Sequence, residues 1–357
     1  DYMRYSVLLT SRMLDFIDKI QGIEGFASLR EISRRTGLPH STIWYFIDKL
    51  AKYRIPLTID IDISKIGLSR YIVVLNKRVE LEKVFKPFLG FYAPALSNKT
   101  FLLYYIPTKQ LNEVLSVIKR KLRDVAEIHE EYPICFEYSS KVNFKEYFVK
   151  GEVIFKWDYM RAKVMENFKN KLGVSGKICE QHEVQHKFDG VDLLILAFMQ
   201  MYPFERLKKL VNKINMFLKS HGYSFTLTYS KARYHLHEHI IKRGVIRKFR
   251  IMASLLPKEK TYYGVLMLKG DLDKILSVGI VLTEHPSFGR LHVSKAKKTG
   301  LIYFAIPVNE ASNLASFLSE TGLDWDILFL DRFKRKAYTI PSELYSVFTR
   351  TWITHSK

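Results

Sequence analysis

The sequence is short of cysteine, of long apolar runs and of acidic residues, and each shortage removes a class of protein. With only Cys135 and Cys179 in 357 residues, no disulfide framework is expected and a reducing cytoplasm suits the chain. The best apolar stretch, Val191 to Met199, contains Asp192 and falls far short of the ~20 residues a spanning helix needs. Arg4, Arg12 and Asp15 interrupt the N-terminal apolar residues, so no secretory signal is expected either. Catalytic signatures are missing as well. There is no Gly-Xaa-Ser-Xaa-Gly elbow, no Gly-rich Lys-Ser/Thr phosphate loop, no His-Glu-Xaa-Xaa-His helix and no Gly-Xaa-Gly-Xaa-Xaa-Gly. An enzyme is not the expectation, and neither a catalytic residue nor a cofactor is assigned.

Positive charge is what the chain has in excess. It carries 57 Lys and Arg against 36 Asp and Glu, a formal net charge of +21, which points to an acidic partner: nucleic acid, an anionic membrane surface or a polyanionic substrate. Hydrophobic residues make up 47%, the composition of a packed globular protein. At ~100–200 residues per domain the length allows two or three cores.

Hydrophobic periodicity gives the order of elements. Leu14, Ile17 and Ile20 lie at helical spacing before Gly22, and Ser28 with Glu31 three residues later reads as a capping box opening a short helix that ends at Gly37. After Pro39, Ile43, Ile47 and Leu50 form one face of a third helix, and from Leu57 to Ile63 apolar and polar residues alternate as in a half-buried strand. Three helices and a strand make a winged helix-turn-helix plan. A strand from Tyr71, a helix over Leu81 to Phe88, strands at Ala93 to Leu96 and Thr100 to Ile106, a helix over Leu111 to Leu122 and a strand over Tyr132 to Tyr138 follow. That order is βαββαβ, a ferredoxin-like sandwich.

The plan recurs. Leu236, Ile240, Gly244, Val245 and Ile246 match Phe46, Leu50, Arg54, Ile55 and Pro56 at a constant offset, and the pair Ile106-Pro107 returns as Ile306-Pro307. The expected fold class is α+β: two winged helix-turn-helix domains, each followed by a ferredoxin-like domain. Residues 1–64 read as the first winged helix, 65–140 as the first αβ domain and 141–188 as a connecting segment. Residues 189–252 read as a degenerate second winged helix, 253–340 as the second αβ domain and 341–357 as a tail.

The stretch Leu29-Arg-Glu-Ile-Ser-Arg-Arg-Thr-Gly-Leu-Pro-His-Ser-Thr-Ile-Trp-Tyr-Phe-Ile-Asp-Lys-Leu50 resembles the helix-turn-helix of the leucine-responsive (Lrp/AsnC) regulators of bacteria and archaea, and Lys65 to Leu75 resembles the entry into their αβ domain. The resemblance implies a cytoplasmic, sequence-preferring transcription regulator that binds double-stranded DNA, with its tandem units acting as a pseudo-dimer and its αβ parts pairing within or between chains as in a homodimer. Asn98 to Phe101 and Thr299 to Ile302 lack the acidic residue of the amino-acid-sensing members, so a small-molecule effector is not expected. On this reading His40, Ser41, Thr42, Trp44 and Tyr45 meet base edges in the major groove. Arg34, Arg35, Lys49, Lys52 and Arg54 contact phosphates, with Lys231, Arg233, Arg247 and Lys248 doing so from the second unit.

Two rival readings remain. The clusters Cys179, His182, His186 and His235, His237, His239 contain metal-ligand types, and with the basic charge they suggest a metal-dependent nuclease, although interrupted polar surface is the commoner meaning and no metal is assigned. Exposed aromatics on a ferredoxin-like sheet suggest an RNA-binding protein, with Phe101, Tyr104 and Tyr105 on the third strand.

Overall fold

The computed structural model describes residues 9–170, 188–252, 255–256 and 258–341, with the backbone of 345–346 and 351–352. Cys179, His182 and His186 lie outside the described residues, as does the loop read at Gly173 to Gly176. The fold is mixed α+β, and among the described residues no helix is long and apolar enough to cross a membrane.

Helix α1 (Ser11–Gln21) starts at Thr10, whose side chain accepts from the Met13 amide, and it buries Met13, Phe16, Ile17 and Ile20. Helix α2 (Leu29–Thr36) is capped as its sequence suggests. Ser28 Oγ accepts from the Glu31 amide, and Gly37 closes the helix at φ 72°, a left-handed conformation that glycine adopts without steric cost. The Glu31 carboxylate does not complete the box; it turns to Arg34 and Arg35 instead. Helix α3 (His40–Lys52) buries Ile43, Phe46 and Leu50, and strand β1 (Leu57–Ile61) follows.

The first sheet is built from β2 (Leu68–Leu75), β3 (Leu89–Pro94), β4 (Thr100–Pro107) and β5 (Ile128–Ile134), with α4 (Leu111–Arg123) on one face. The helix expected over Leu81 to Phe88 is absent: only a 3-10 turn spans Leu81–Lys83, and Val84 is already extended. Pro87 in any case keeps a helix from reaching Phe88, because a proline pushes the residue before it out of the helical region.

Beyond β5, the short strand β6 (Phe136–Tyr138) leaves for the other half of the molecule. Helix α5 (Phe144–Tyr147), strands β7 (Phe148–Val149) and β8 (Glu152–Val153), and helix α6 (Trp157–Asn170) come next. Trp157, Met160 and Val164 of α6 pack into the same core as Ile275, Leu276 and Phe317, so this part of the segment read as a connector belongs to the second αβ layer.

The second half comprises α7 (Gly190–Met201), α8 (Leu207–Ser220) and α9 (Tyr229–Tyr234), which runs on into a π-helical turn at His235–Ile241. Strand β9 (Ile246–Ile251) precedes β10 (Thr261–Lys269), α10 (Leu272–Thr283), β11 (Phe288–Ser294), β12 (Thr299–Pro307), α11 (Ala311–Ser319), β13 (Asp324–Phe329) and β14 (Lys336–Ala337). The π-turn explains a mismatch in the repeat. At the constant offset Arg233 would occupy the buried slot of Ile43, yet Arg233 is exposed and Ala232 is buried, while Leu236 and Ile240 fall back into step with Phe46 and Leu50. One extra residue between Ala232 and Leu236 is accommodated by the wider turn.

The two halves exchange strands. The antiparallel sheets run β14-β3-β4-β2-β5 and β13-β10-β12-β11-β6, so each takes one edge strand, β14 or β6, from the other half. Strands β1 and β9 pair antiparallel, Leu57 opposite Ile251, and join the two helical parts into a single core. The sheets face each other through Ile72, Val74, Phe101 and Leu103 on one side and Val265, Met267 and Leu301 on the other. Side chains alternate across a strand, so on β2 Tyr71, Val73 and Leu75 turn to the opposite core.

Strand β10, an inner strand of its sheet, admits no side chain at Gly264: an added Cβ would fall on the Leu328 carbonyl oxygen and against the Phe304 ring. Gly264→Ala should lower the unfolding free energy by about 1–3 kcal/mol, the usual cost of overpacking a dense interior. An unchanged denaturation midpoint would contradict the packing described.

Candidate functional site

The β1–β9 ladder has an apolar side and a charged side. Leu57, Ile59 and Ile61 of β1 and Ile246, Phe249 and Ile251 of β9 enter the helical core. Asp60 lies opposite Lys248, Thr58 lies opposite Arg250, and a register shift beside Asp60 and Ile61 leaves Arg247 as the extra residue of β9. This charged side meets the strand junction of the sheets. There Glu137 on β6 lies opposite His292 on β11, and Arg290 and Arg70 approach from β11 and β2.

Two carboxylates collect these cations. Glu137 pairs with Arg70 and, at 3.0 Å, with Arg290; His292 Nδ1 stands 2.8 Å from its other oxygen, and Arg247 is 3.6 Å away. Asp60 pairs with Arg290 and lies 3.5 Å from Arg247. Burial would raise both carboxyls, but the arginines overcome it and hold Asp60 below, and Glu137 well below, the ordinary range. Burial also lowers His292, in spite of the neighbouring Glu137 carboxylate.

Cations outnumber anions here. Among the described residues, the carboxylates that Arg70, Arg247, Lys248, Arg250 and Arg290 face are Asp60 and Glu137. Lys248 donates to the Ser139 carbonyl at 2.6 Å. Burial lowers the Arg250 guanidinium, and repulsion from Arg290 adds to that, to about 10. A cavity of about 30 Å³ opens beside these groups, lined by Ser139, Ser140, Lys141, Lys248 and Arg250 among others. Its size suits one water or one carboxylate group, and its walls suit an anion.

The residues expected on DNA are distributed differently. His40, Ser41, Trp44 and Tyr45 are exposed on α3 and Thr42 is half-buried. His40 and Trp44 line an apolar groove of about 460 Å³ shared with Phe204, Leu207, Tyr229 and Arg233 of the second half. Arg34 and Arg35 pair with Glu31, Lys52 pairs with Asp48, and Lys49 donates to the Tyr45 hydroxyl at 2.7 Å. Arg54 is exposed, and Lys231 lies over the Phe225 ring. Arg247 and Lys248 belong to the charged layer between ladder and sheets. Tyr104 and Phe101 are fully buried and Tyr105 nearly so, leaving no aromatic platform on that strand for RNA bases.

No protein-family model and no curated protein matches the chain. Two solved structures are similar to it, both of the siroheme decarboxylase NirDL. One is 11% identical, with a TM-score of 0.45 over 90% of this chain and 91% of that one. The other, in co-complex with an iron-uroporphyrin III analogue, is 11% identical, with a TM-score of 0.47 over 93% and 95%.

These findings correct the reading drawn from the helix-turn-helix stretch. The structures similar to the chain are of an enzyme, and on that finding the tandem leucine-responsive regulator, the double-stranded DNA partner and the absence of catalysis are not carried forward. The αβ parts, expected to pair within or between chains, pair within this one, where each sheet covers the other. Sequence reasoning missed Asp60, Arg70, Glu137, Arg250, Arg290 and His292. A signal existed in the strand alternation, since Arg290 and His292 interleave with Leu291 and Val293, but alternation normally marks polar residues that face water.

Glu137→Gln should destabilise the fold by about 3–5 kcal/mol, because it leaves Arg70 and Arg290 buried with one formal anion fewer. The sign of the pH dependence follows from the depressed carboxyl: its contribution is complete above the ordinary glutamate value of 4.5 and is lost as pH falls below it. Denaturant titrations of both proteins across the acid range check this, with wild type losing its advantage over the variant as pH falls.

Proposed function

We propose that the chain is an enzyme for a substrate bearing several carboxylates, and that the cleft at Arg250 receives one of them. The observation that carries this reading is the charge imbalance of the layer, five Lys and Arg side chains about two carboxylates, with Arg250 beside a cavity the size of one carboxylate. Buried cations without matching anions are costly, and a charge-assisted contact from an incoming carboxylate relieves that cost. Ser139, Ser140 and Lys141 frame the opening. Only one carboxylate enters; the body of the substrate stays outside the cleft.

The domain reading goes with this proposal. Residues 1–64 and 189–252 act as winged-helix units whose ladder presents Asp60, Lys248 and Arg250, and residues 65–140 and 253–340 act as ferredoxin-like units that close over it. The strand orders and the three-helix starts described above support this division.

The iron-uroporphyrin III analogue bound by NirDL supplies a probe for the cleft, and the arginine layer is the reason to use it. Iron-uroporphyrin III should perturb its own absorption spectrum on titration with the full chain, and incubation should release carbon dioxide, detected as a loss of carboxyl groups by mass spectrometry. Arg250→Ala should weaken binding about ten- to a hundredfold, the equivalent of one charged hydrogen bond of ~1.5–3 kcal/mol. Binding that is absent, or unchanged by this substitution, would sink the assignment.

A further inference from the structure

A second polar cluster lies in the helical part of the second half, away from the arginine layer. Helix α7 is apolar almost throughout, yet it buries Asp192 in its first turn, 1% exposed. Asp189 precedes the helix as its cap, accepting from the amides of Val191 and Asp192. The π-turn brings His235 and His239 against this pair. His235 Nδ1 stands 2.8 Å from Asp192 Oδ1 and 3.5 Å from Asp189 Oδ1, and His239 Nδ1 stands 3.1 Å from both Asp192 oxygens. One ligand atom from each of the four residues can be chosen so that all lie within 4.8 Å of one another.

We infer that Asp189, Asp192, His235 and His239 form a binding site for a divalent transition ion of the Zn²⁺ type. Three independent features converge on it. The first is spacing: ligands at ~2.0–2.2 Å from a tetrahedral Zn²⁺ are about 3.3–3.5 Å from each other; here the Asp–His separations run from 2.8 to 3.5 Å and all four ligand atoms fall within 4.8 Å, so a small adjustment closes them on one ion. The second is charge. Neither carboxylate has a Lys or Arg partner among the described residues; their ion-pairing contacts are to the two histidines. A divalent ion bound between them would neutralise both acids. The third is the backbone. The extra residue held by the π-turn costs regular helical hydrogen bonding, and such turns recur at functional sites. Two nitrogens and two carboxylate oxygens favour Zn²⁺ over hard ions such as Mg²⁺, which prefer oxygen ligands and keep their water. With four protein ligands the site is closed, and the ion ties α7 to the π-turn as a structural element.

The test uses the full chain, dialysed against chelator and titrated with Zn²⁺ alone, with Mg²⁺ as the control and Co²⁺ as a spectroscopic probe. One Zn²⁺ per chain should bind and raise the thermal midpoint, Mg²⁺ should not compete, and Co²⁺ should give the strong visible bands of tetrahedral coordination. His239→Ala, at a half-exposed position, and Asp192→Asn should each weaken Zn²⁺ by at least about tenfold and abolish the Co²⁺ bands, while circular dichroism confirms that His239→Ala is folded. No Zn²⁺ bound by wild type overturns the inference. So does Zn²⁺ binding that His239→Ala leaves unchanged, since the ion would then sit elsewhere in the chain.

Discussion

The buried ion pairs of Asp60 and Glu137 with arginines from both halves are the contact on which the rest of the molecule depends. Arg290 bridges the two carboxylates, so a strand of the first helical part, a strand exchanged between sheets and an inner strand of the second sheet meet at one point. Charges placed so far from water are stable only when their geometry is satisfied. The strand register of β1 with β9 and of β6 with β11 is therefore coupled: slipping either by one residue would carry Asp60 or Glu137 to the opposite face.

Apolar packing does the complementary work. The sheets bury Phe101, Val265 and Leu301 between them, and the helical parts bury Ile59 and Phe249 on the far side of the ladder. Hydrophobic burial is large but non-directional, so it holds the halves together without choosing among registers. The ion pairs are directional and supply that choice. The surplus of cations over anions in the same layer is what separates a simple structural bridge from a site able to take up an anion, and it links the architecture to the proposed chemistry.

Much of the local structure was legible in the sequence. Ser28 and Gly37 bound α2 as their types predict, and the repeated Ile-Pro pairs end β4 and β12 in equivalent places, each followed by a 3-10 turn and a helix. The histidine spacing of His235 and His239 was visible too. What could not be read were their partners: Asp192 stands within an apolar run, and its carboxylate becomes a neighbour of the histidines only when α7 packs on the π-turn. Arg247 and Lys248, read as phosphate contacts, lie in the charged layer between ladder and sheets, because a basic strand reads as solvent-facing until its partner surface is known.

By itself the sequence determined most of the order of helices and strands and the excess of positive charge, since periodicities of 3.6 and 2 residues and turn chemistry act over a few neighbours. Only the tertiary structure decided which strand pairs with which, whether Asp60 faces water or Arg290, and where the surplus charge collects. Those outcomes depend on surfaces brought together from residues as far apart as Asp60 and Arg290, and no local pattern encodes such a contact.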